Sequence, residues 1–140
     1  EPLGNNFNSD YLKIKLSKKE SPIKNVLLDQ SLVAGLGNIY VCEALFMSGI
    51  SPRKIASKIS KIKCEELVQN IRAILMSAIE AGGSSLKDFT DIQGNSGYFQ
   101  FEFYVYGREN KYCKTTNCDH KIKRISQSGR SSFYCPNCQR

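Results

Sequence analysis

The sequence predicts a mainly α chain, a helix bundle followed by a small β-hairpin that a metal staples. Three observations carry this. Apolar residues recur at three-to-four spacing across residues 63–81, and Gly82-Gly83 follows them. Upstream, apolar stretches are punctuated by Ser-Pro and by Gly-x-Gly rather than by strand-like alternation. Near the end, Cys113-x4-Cys118 and Cys135-x2-Cys138 flank a hairpin-length insert, the pattern of a tetrahedral zinc site.

The elements follow in order. Residues 1–8 are rich in Pro, Gly and Asn and lead into a helix signal, with Ser9-Asp10 expected to cap Tyr11-Leu12-Lys13-Ile14-Lys15-Leu16. Ser21-Pro22 restarts a helix, Ser as the cap and Pro at the first helical position, carrying Ile23, Lys24, Val26, Leu27 and Leu28. Gly35-Leu36-Gly37-Asn38 reads as a tight turn whose Asn38 caps the next helix, residues 39–48. Tyr40, Ala44, Leu45 and Phe46 should point inward there, and Gly49 should end it. Such a turn presents amide groups at a helix start, a ready phosphate site; an ordinary helix–helix corner is the competing reading.

After Ser51-Pro52 a short basic helix is expected around Arg53-Lys54-Ile55. Ser60 opens the longest helix, with Leu67, Ile71, Ile74 and Ala78 in one stripe and Val68, Leu75 and Ile79 beside it. Glu65, Glu66, Gln69, Arg72 and Glu80 face away. Residues 82–97 form a glycine-rich loop, of a length that is usually functional or disordered. The aromatic run Tyr98-Phe99-Gln100-Phe101-Glu102-Phe103-Tyr104-Val105-Tyr106 suits a strand or a helix equally. Residues 107–110 lead into the hairpin, where Lys121-Ile122-Lys123-Arg124-Ile125 alternates, Ser126-Gln127-Ser128-Gly129 turns, and Phe133-Tyr134 runs into the second cysteine pair.

Composition bounds the function. At 140 residues and 41% hydrophobic content the chain suits one domain, or one with a small appendage. It has no apolar run of membrane-spanning length and no signal-like start, so a cytoplasmic setting is expected. Lys111, Lys114, Lys121, Lys123, Arg124, Arg130 and Arg140 against Asp119 alone put +6 of the chain's +7 into residues 111–140. That concentration points to nucleic acid. Six cysteines without a targeting segment suit a reducing compartment, where one structural Zn2+ on Cys113, Cys118, Cys135 and Cys138 explains four of them. His120, the single histidine, is the alternative to Cys113 as ligand; Cys42 and Cys64 read as half-buried thiols. One histidine beside the cysteines rules against a Ser/His/Asp arrangement, and the glycine turns match neither a P-loop nor a dinucleotide fingerprint. By residue chemistry the chain binds and does not catalyse.

Three motifs in order then become specific. Asp29-Gln30-x3-Ala34-Gly35-Leu36-Gly37-Asn38-Ile39-Tyr40, with Glu43-Ala44-Leu45-Phe46 and Gly49-Ile50-x-Pro52, resembles the helix-two-turn-helix signature of the formamidopyrimidine-DNA glycosylases. Gly82-Gly83-Ser84-Ser85-Leu86-Lys87-Asp88-Phe89 and Gly97-Tyr98-Phe99 resemble that family's damage-recognition loop. Val105-Tyr106-Gly107-Arg108 and Gly129-Arg130-Ser131-Ser132-Phe133-Tyr134-Cys135-Pro136-Asn137-Cys138-Gln139 resemble its zinc finger. The resemblance implies a helix-two-turn-helix bundle over residues 1–106 followed by a zinc-bound β-hairpin, the zinc finger, over residues 107–140.

It also implies a bacterial-type, nucleoid-associated base-excision-repair enzyme, a glycosylase and AP lyase that removes oxidised purines (8-oxoguanine, formamidopyrimidines) from duplex DNA and acts as a monomer. In that family a proline amine and the glutamate after it open a β-sandwich catalytic domain preceding everything seen here. Glu1-Pro2 matches the interdomain linker, so the chain alone is expected to be inactive without that N-terminal domain. By the same resemblance Lys24, Gly35 and Asn38 contact DNA phosphates, and Lys87 and Tyr98 belong to the loop over the extruded base. Arg130 at the hairpin tip grips flanking phosphates and is a proton donor in the second elimination. The family's first cysteine pair has two intervening residues; Cys113 and Cys118 have four, so Lys114-Thr115-Thr116-Asn117 must bulge. An endonuclease VIII-type enzyme, a stand-alone zinc-dependent nucleic-acid module and a zinc-stapled protein-interaction domain are the alternatives.

Overall fold

A computed structural model describes residues 4–29, 36–80 and 102–140. Gly35, Lys87, Tyr98, the Gly82-Gly83 stop and the loop at residues 82–97 lie outside the described residues. The described chain runs α1 (Ser9–Leu16), α2 (Ile23–Leu27), α3 (Asn38–Met47), a 3-10 turn (Ala56–Lys58), α4 (Lys61–Glu80), β1 (Lys123–Gln127) and β2 (Arg130–Tyr134). The mainly α bundle with an appended hairpin is thus present.

Helix α4 forms where the periodicity placed it. Ser60 starts it, its hydroxyl accepting from the Lys63 N–H at 3.2 Å, and Leu67, Ile71, Ile74 and Ala78 are all buried along one stripe. Arg72, expected to face solvent, instead turns back and donates to the main-chain carbonyls of Gly4 and Phe7. It ties the N-terminal turn to the bundle. Helix α1 is capped one residue earlier than expected, Asn8 accepting from the Tyr11 N–H at 2.9 Å. Helix α2 starts after Pro22 with no side-chain cap; the Ser21 carbonyl accepts instead from Ala56 N–H at 2.9 Å.

The basic helix expected at Arg53-Lys54-Ile55 does not form. Ile23 N–H donates to the Lys54 carbonyl at 2.7 Å, and Pro22 and Ile55 make an antiparallel bridge. Residues committed to pairing across the chain are not available for a helical ladder. The helical turn comes later, at Ala56–Lys58.

Helix α3 ends at Gly49 as expected. Gly49 has φ +69°, and the bonds Ile50 N–H to Leu45 carbonyl and Gly49 N–H to Phe46 carbonyl, both 3.0 Å, form a Schellman cap. Unlike α4, α3 is buried on every side: Tyr40, Val41, Cys42, Glu43, Ala44 and Leu45 are all inside. The cause is its place between two apolar clusters. Val41, Ala44 and Leu45 join the bundle core with α1, α2 and α4. Cys42 joins a second core with Val105, Cys113, Ile122, Phe133 and Cys135, against which Phe46 packs.

The hairpin pairs Lys123 with Tyr134 through Gln127 with Arg130. Its two turn residues, Ser128 and Gly129, have φ of +51° and +79°, the left-handed pair that a type I′ turn requires and that matches strand twist. Among the described residues no helix is long and apolar enough to cross a membrane.

Candidate nucleic-acid interface and metal centre

The hairpin is held against the bundle by polar side chains from α2 and α3. Lys24 on α2 has no exposed surface; its ammonium donates to Ser132 Oγ at 2.6 Å and to the Ser131 carbonyl at 3.4 Å. Burial lowers its pKa, and the positive charge of Arg130 adds to the lowering. Ser132 passes the bond on, its hydroxyl donating to Gln127 Oε1 at 2.6 Å. Gln127 in turn donates to the Pro52 carbonyl at 3.2 Å. Asn25 donates to Ser128 Oγ at the turn, 3.1 Å.

Asn38 does not cap α3. It is the first helical residue after Gly37, and its Nδ2 donates to the Ser131 carbonyl at 3.1 Å. Lys24 and Asn38, 14 positions apart in sequence, therefore meet on one main-chain carbonyl of β2. Arg130, exposed, is the residue before it. Three of the six residues expected to touch DNA thus lie in one neighbourhood; the other three fall outside the described residues.

The four cysteines also converge. Their Sγ atoms all lie within 4.8 Å of one another, with Cys118–Cys135 at 3.7 Å and Cys113–Cys138 at 3.9 Å. Zinc–sulfur bonds of about 2.3 Å at tetrahedral angles call for sulfur–sulfur edges of about 3.8 Å. The donor set fits one zinc ion, which as a closed four-thiolate site supplies cross-linking and no open coordination position. His120 is half exposed, 3.7 Å from the Asp119 carboxylate, and stands outside the sulfur cluster; its main-chain carbonyl accepts from Cys113 N–H at 2.8 Å. Cys113, and not His120, thus completes the set of four sulfurs able to hold the ion. Its wide spacing to Cys118 is absorbed by a turn in which Cys118 N–H donates to the Thr115 carbonyl at 3.0 Å and Asn117 takes φ +67°. The main-chain N–H near His120 pulls Cys118 down to about 7, whereas burial pushes Cys135 up to about 12. Burial also raises Cys42 and Cys64, which remain ordinary protonated thiols, more deeply buried than expected.

Two side chains that sequence reasoning passed over join the finger to the bundle. Gln139, 3% exposed, accepts from Cys135 N–H at 2.8 Å and donates to the Ile50 carbonyl at 2.9 Å. Glu43 is 1% exposed. It accepts from the main-chain N–H groups of Tyr104, Val105 and Tyr106 at 2.7, 3.0 and 2.9 Å. A lone acid inside Val41-Cys42-Glu43-Ala44-Leu45 was the signal: a carboxylate in so apolar a helix needs donors.

Comparison with known proteins places this geometry. Residues 1–90 match the formamidopyrimidine-DNA glycosylase H2TH domain, and residues 116–140 match the zinc finger found in FPG and IleRS. The second match begins after Cys113, where the spacing departs. The chain is similar to the formamidopyrimidine-DNA glycosylase of Ruegeria pomeroyi, 58% identical over 140 residues, all of this chain and 50% of the relative. It is 56% identical to that of Dinoroseobacter shibae, again over all of this chain and 49% of the relative. The chain spans about half the length of these curated relatives. Among solved structures, the MutM (Fpg) protein of Thermus thermophilus superposes with TM-score 0.85 at 38% identity, covering 99% of this chain and 52% of that one. The Lactococcus lactis Fpg in complex with DNA containing an abasic site gives 0.85 at 37%, covering 99% and 50%. With its helical signature, its cysteine cluster and both matches in sequence order, the chain belongs to the formamidopyrimidine-DNA glycosylase family.

Proposed function

We propose that the chain is the DNA-binding part of a base-excision-repair glycosylase and AP lyase acting on oxidised purines in duplex DNA. The observation that carries the reading is the meeting of Lys24 and Asn38 on the Ser131 carbonyl, next to exposed Arg130. It fuses the start of α3 and the basic hairpin into one surface. One Asn38 amide hydrogen is used on Ser131; the NH2 group carries a second, which in this reading goes to a DNA phosphate. Arg130 grips a phosphate beside it and serves as the proton donor in the second elimination. Lys24, buried behind them, acts on the phosphate through its field and through the strand it holds. In this reading Gly35 adds to the phosphate contacts, and Lys87 and Tyr98 belong to the loop over the extruded base. The relative solved with abasic-site-containing DNA supports DNA as the partner.

The nucleophile in this reading belongs to a β-rich catalytic domain that the 140 residues do not supply, so the chain binds and does not cut. The test uses the 140-residue chain with zinc on a fluorescent duplex bearing an abasic-site analogue. Binding is expected, without base release, strand cleavage or a borohydride-trapped adduct. A trapped adduct, or no binding at low salt, overturns the reading.

A further inference from the structure

We propose that Glu43 is a positioning residue for DNA recognition, setting the strand that carries Arg130 through the segment Tyr104 to Tyr106. The proposal rests on the reading that Arg130 grips DNA. Three consecutive main-chain N–H groups converge on the two oxygens of one carboxylate, Tyr104 on Oε1 and both Val105 and Tyr106 on Oε2. A carboxylate offers acceptor sites on both oxygens; an amide offers one oxygen and turns donors toward the other N–H groups. Bonds of this kind, with an ionised acceptor, are among the stronger ones in proteins.

The clamp is reinforced and then passed on. One turn along α3, the Phe46 ring stacks on Tyr104 at 5.5 Å with 18° between planes. The Tyr106 ring then meets Phe133 edge-on at 4.9 Å and 66°. Phe133 is buried on β2, three residues from Arg130. On the other side Lys24 and Asn38 hold the same strand at Ser131 and Ser132. Strand β2 is thereby fixed from two directions, both originating in the α2–α3 pair. Glu43 touches neither Arg130 nor a DNA contact. The route proposed from the carboxylate to β2 runs through Tyr106 and Phe133; the neighbouring Cys42 also packs in the cluster that holds Phe133, and Tyr106→Leu separates the two paths.

The test compares the zinc-loaded 140-residue chain with Glu43→Gln, Tyr106→Leu, Arg130→Ala and the Glu43→Gln/Arg130→Ala double variant. Zinc content, amide hydrogen exchange and affinity for abasic-site duplex are measured on each. Glu43→Gln is expected to keep its zinc, to speed exchange at Tyr104, Val105, Tyr106 and along β2 by about tenfold, and to weaken binding by about tenfold. Tyr106→Leu should lose the same affinity and loosen β2 while the clamped amides stay protected; it decides the matter should Glu43→Gln not fold. In the Arg130→Ala background Glu43→Gln should cost little more affinity. Wild-type exchange along β2 in Glu43→Gln, or full additivity with Arg130→Ala, overturns the proposal. If the wild-type chain binds no DNA, the function proposed above fails, and exchange along β2 still decides whether Glu43 positions the strand.

Discussion

Lysine ammonium groups with no exposed surface are expensive, and Lys24 is one. Its bonds to Ser132 Oγ and the Ser131 carbonyl return part of the desolvation cost, but neither partner carries a charge. Lys24→Met keeps the packed stem and removes the charge. Its stability at neutral pH is expected to lie within about 1 kcal/mol of wild type, or above it, while affinity for duplex DNA drops. Because burial lowers the folded-state pKa, the unfolded chain holds this proton more tightly between the two values. Wild-type stability relative to Lys24→Met should therefore rise as pH climbs from the lowered folded value toward lysine's ordinary 10.5. Urea unfolding at neutral and alkaline pH checks both statements. Loss of several kcal/mol in Lys24→Met at neutral pH would show the ammonium to be a net stabiliser of the fold. Gly49 is a second position with a single-residue consequence. Its φ of +69° makes Gly49→Ala costly by about 1–2 kcal/mol, although a Cβ there would meet its neighbours only at ordinary contact distance. Thermal unfolding measures it.

At the scale of elements, helix α4 was legible because one buried stripe against a solvated face leaves a periodic trace. The cysteine pairs were legible because zinc restricts both ligand type and spacing. Helix α3 was only half legible: buried by the bundle on one side and the finger on the other, it is apolar all round, and its pattern assigns no residue to either face. The caps were misplaced for a related reason. Asn8, Ser9 and Asp10 are all able to cap α1, and nothing local chooses Asn8. Asn38 has the chemistry of a cap but is recruited by a carbonyl 93 residues away, which no local pattern records. Glu43 likewise finds its first partner 61 residues off and the Gln139 amide donates to a carbonyl 89 residues off. The same two-sided burial of α3 bears on metal removal. A chelator should abolish the hairpin's ordered signals, since Phe133 and Cys135 are packed around the sulfur cluster, while α1, α2 and α4 keep their own core. Far-ultraviolet circular dichroism should retain most of its helical signal as hairpin resonances collapse. An unchanged hairpin after complete metal removal would count against the zinc assignment.

For the whole molecule the deciding quantity is where the charge sits. A net +7 spread evenly would give weak, diffuse attraction to any polyanion, but +6 of it falls in residues 111–140. The hairpin carrying Lys123, Arg124 and Arg130 is bolted to the start of α3 through Ser131. In the proposed reading, phosphates drawn in by the hairpin therefore arrive beside Asn38 rather than at a separate site. If two to three phosphates are neutralised by cations, counterion release makes affinity fall by roughly 10- to 40-fold between 50 and 200 mM salt, from a logarithmic slope of about −0.9 per phosphate. Arg130→Ala should reduce that slope by about one unit, whereas Cys64→Ser, deep in the bundle core, should leave both slope and affinity unchanged. Fluorescence anisotropy titrations across the salt series measure the three chains together. A slope near zero would leave a neutral protein-interaction surface as the better account of the hairpin. Equal losses in Arg130→Ala and Cys64→Ser would mean that binding tracks fold integrity and not the charge at the tip. A slope that drops by one unit in Arg130→Ala alone would identify that guanidinium as a phosphate contact, because only a lost ion contact changes the number of counterions released.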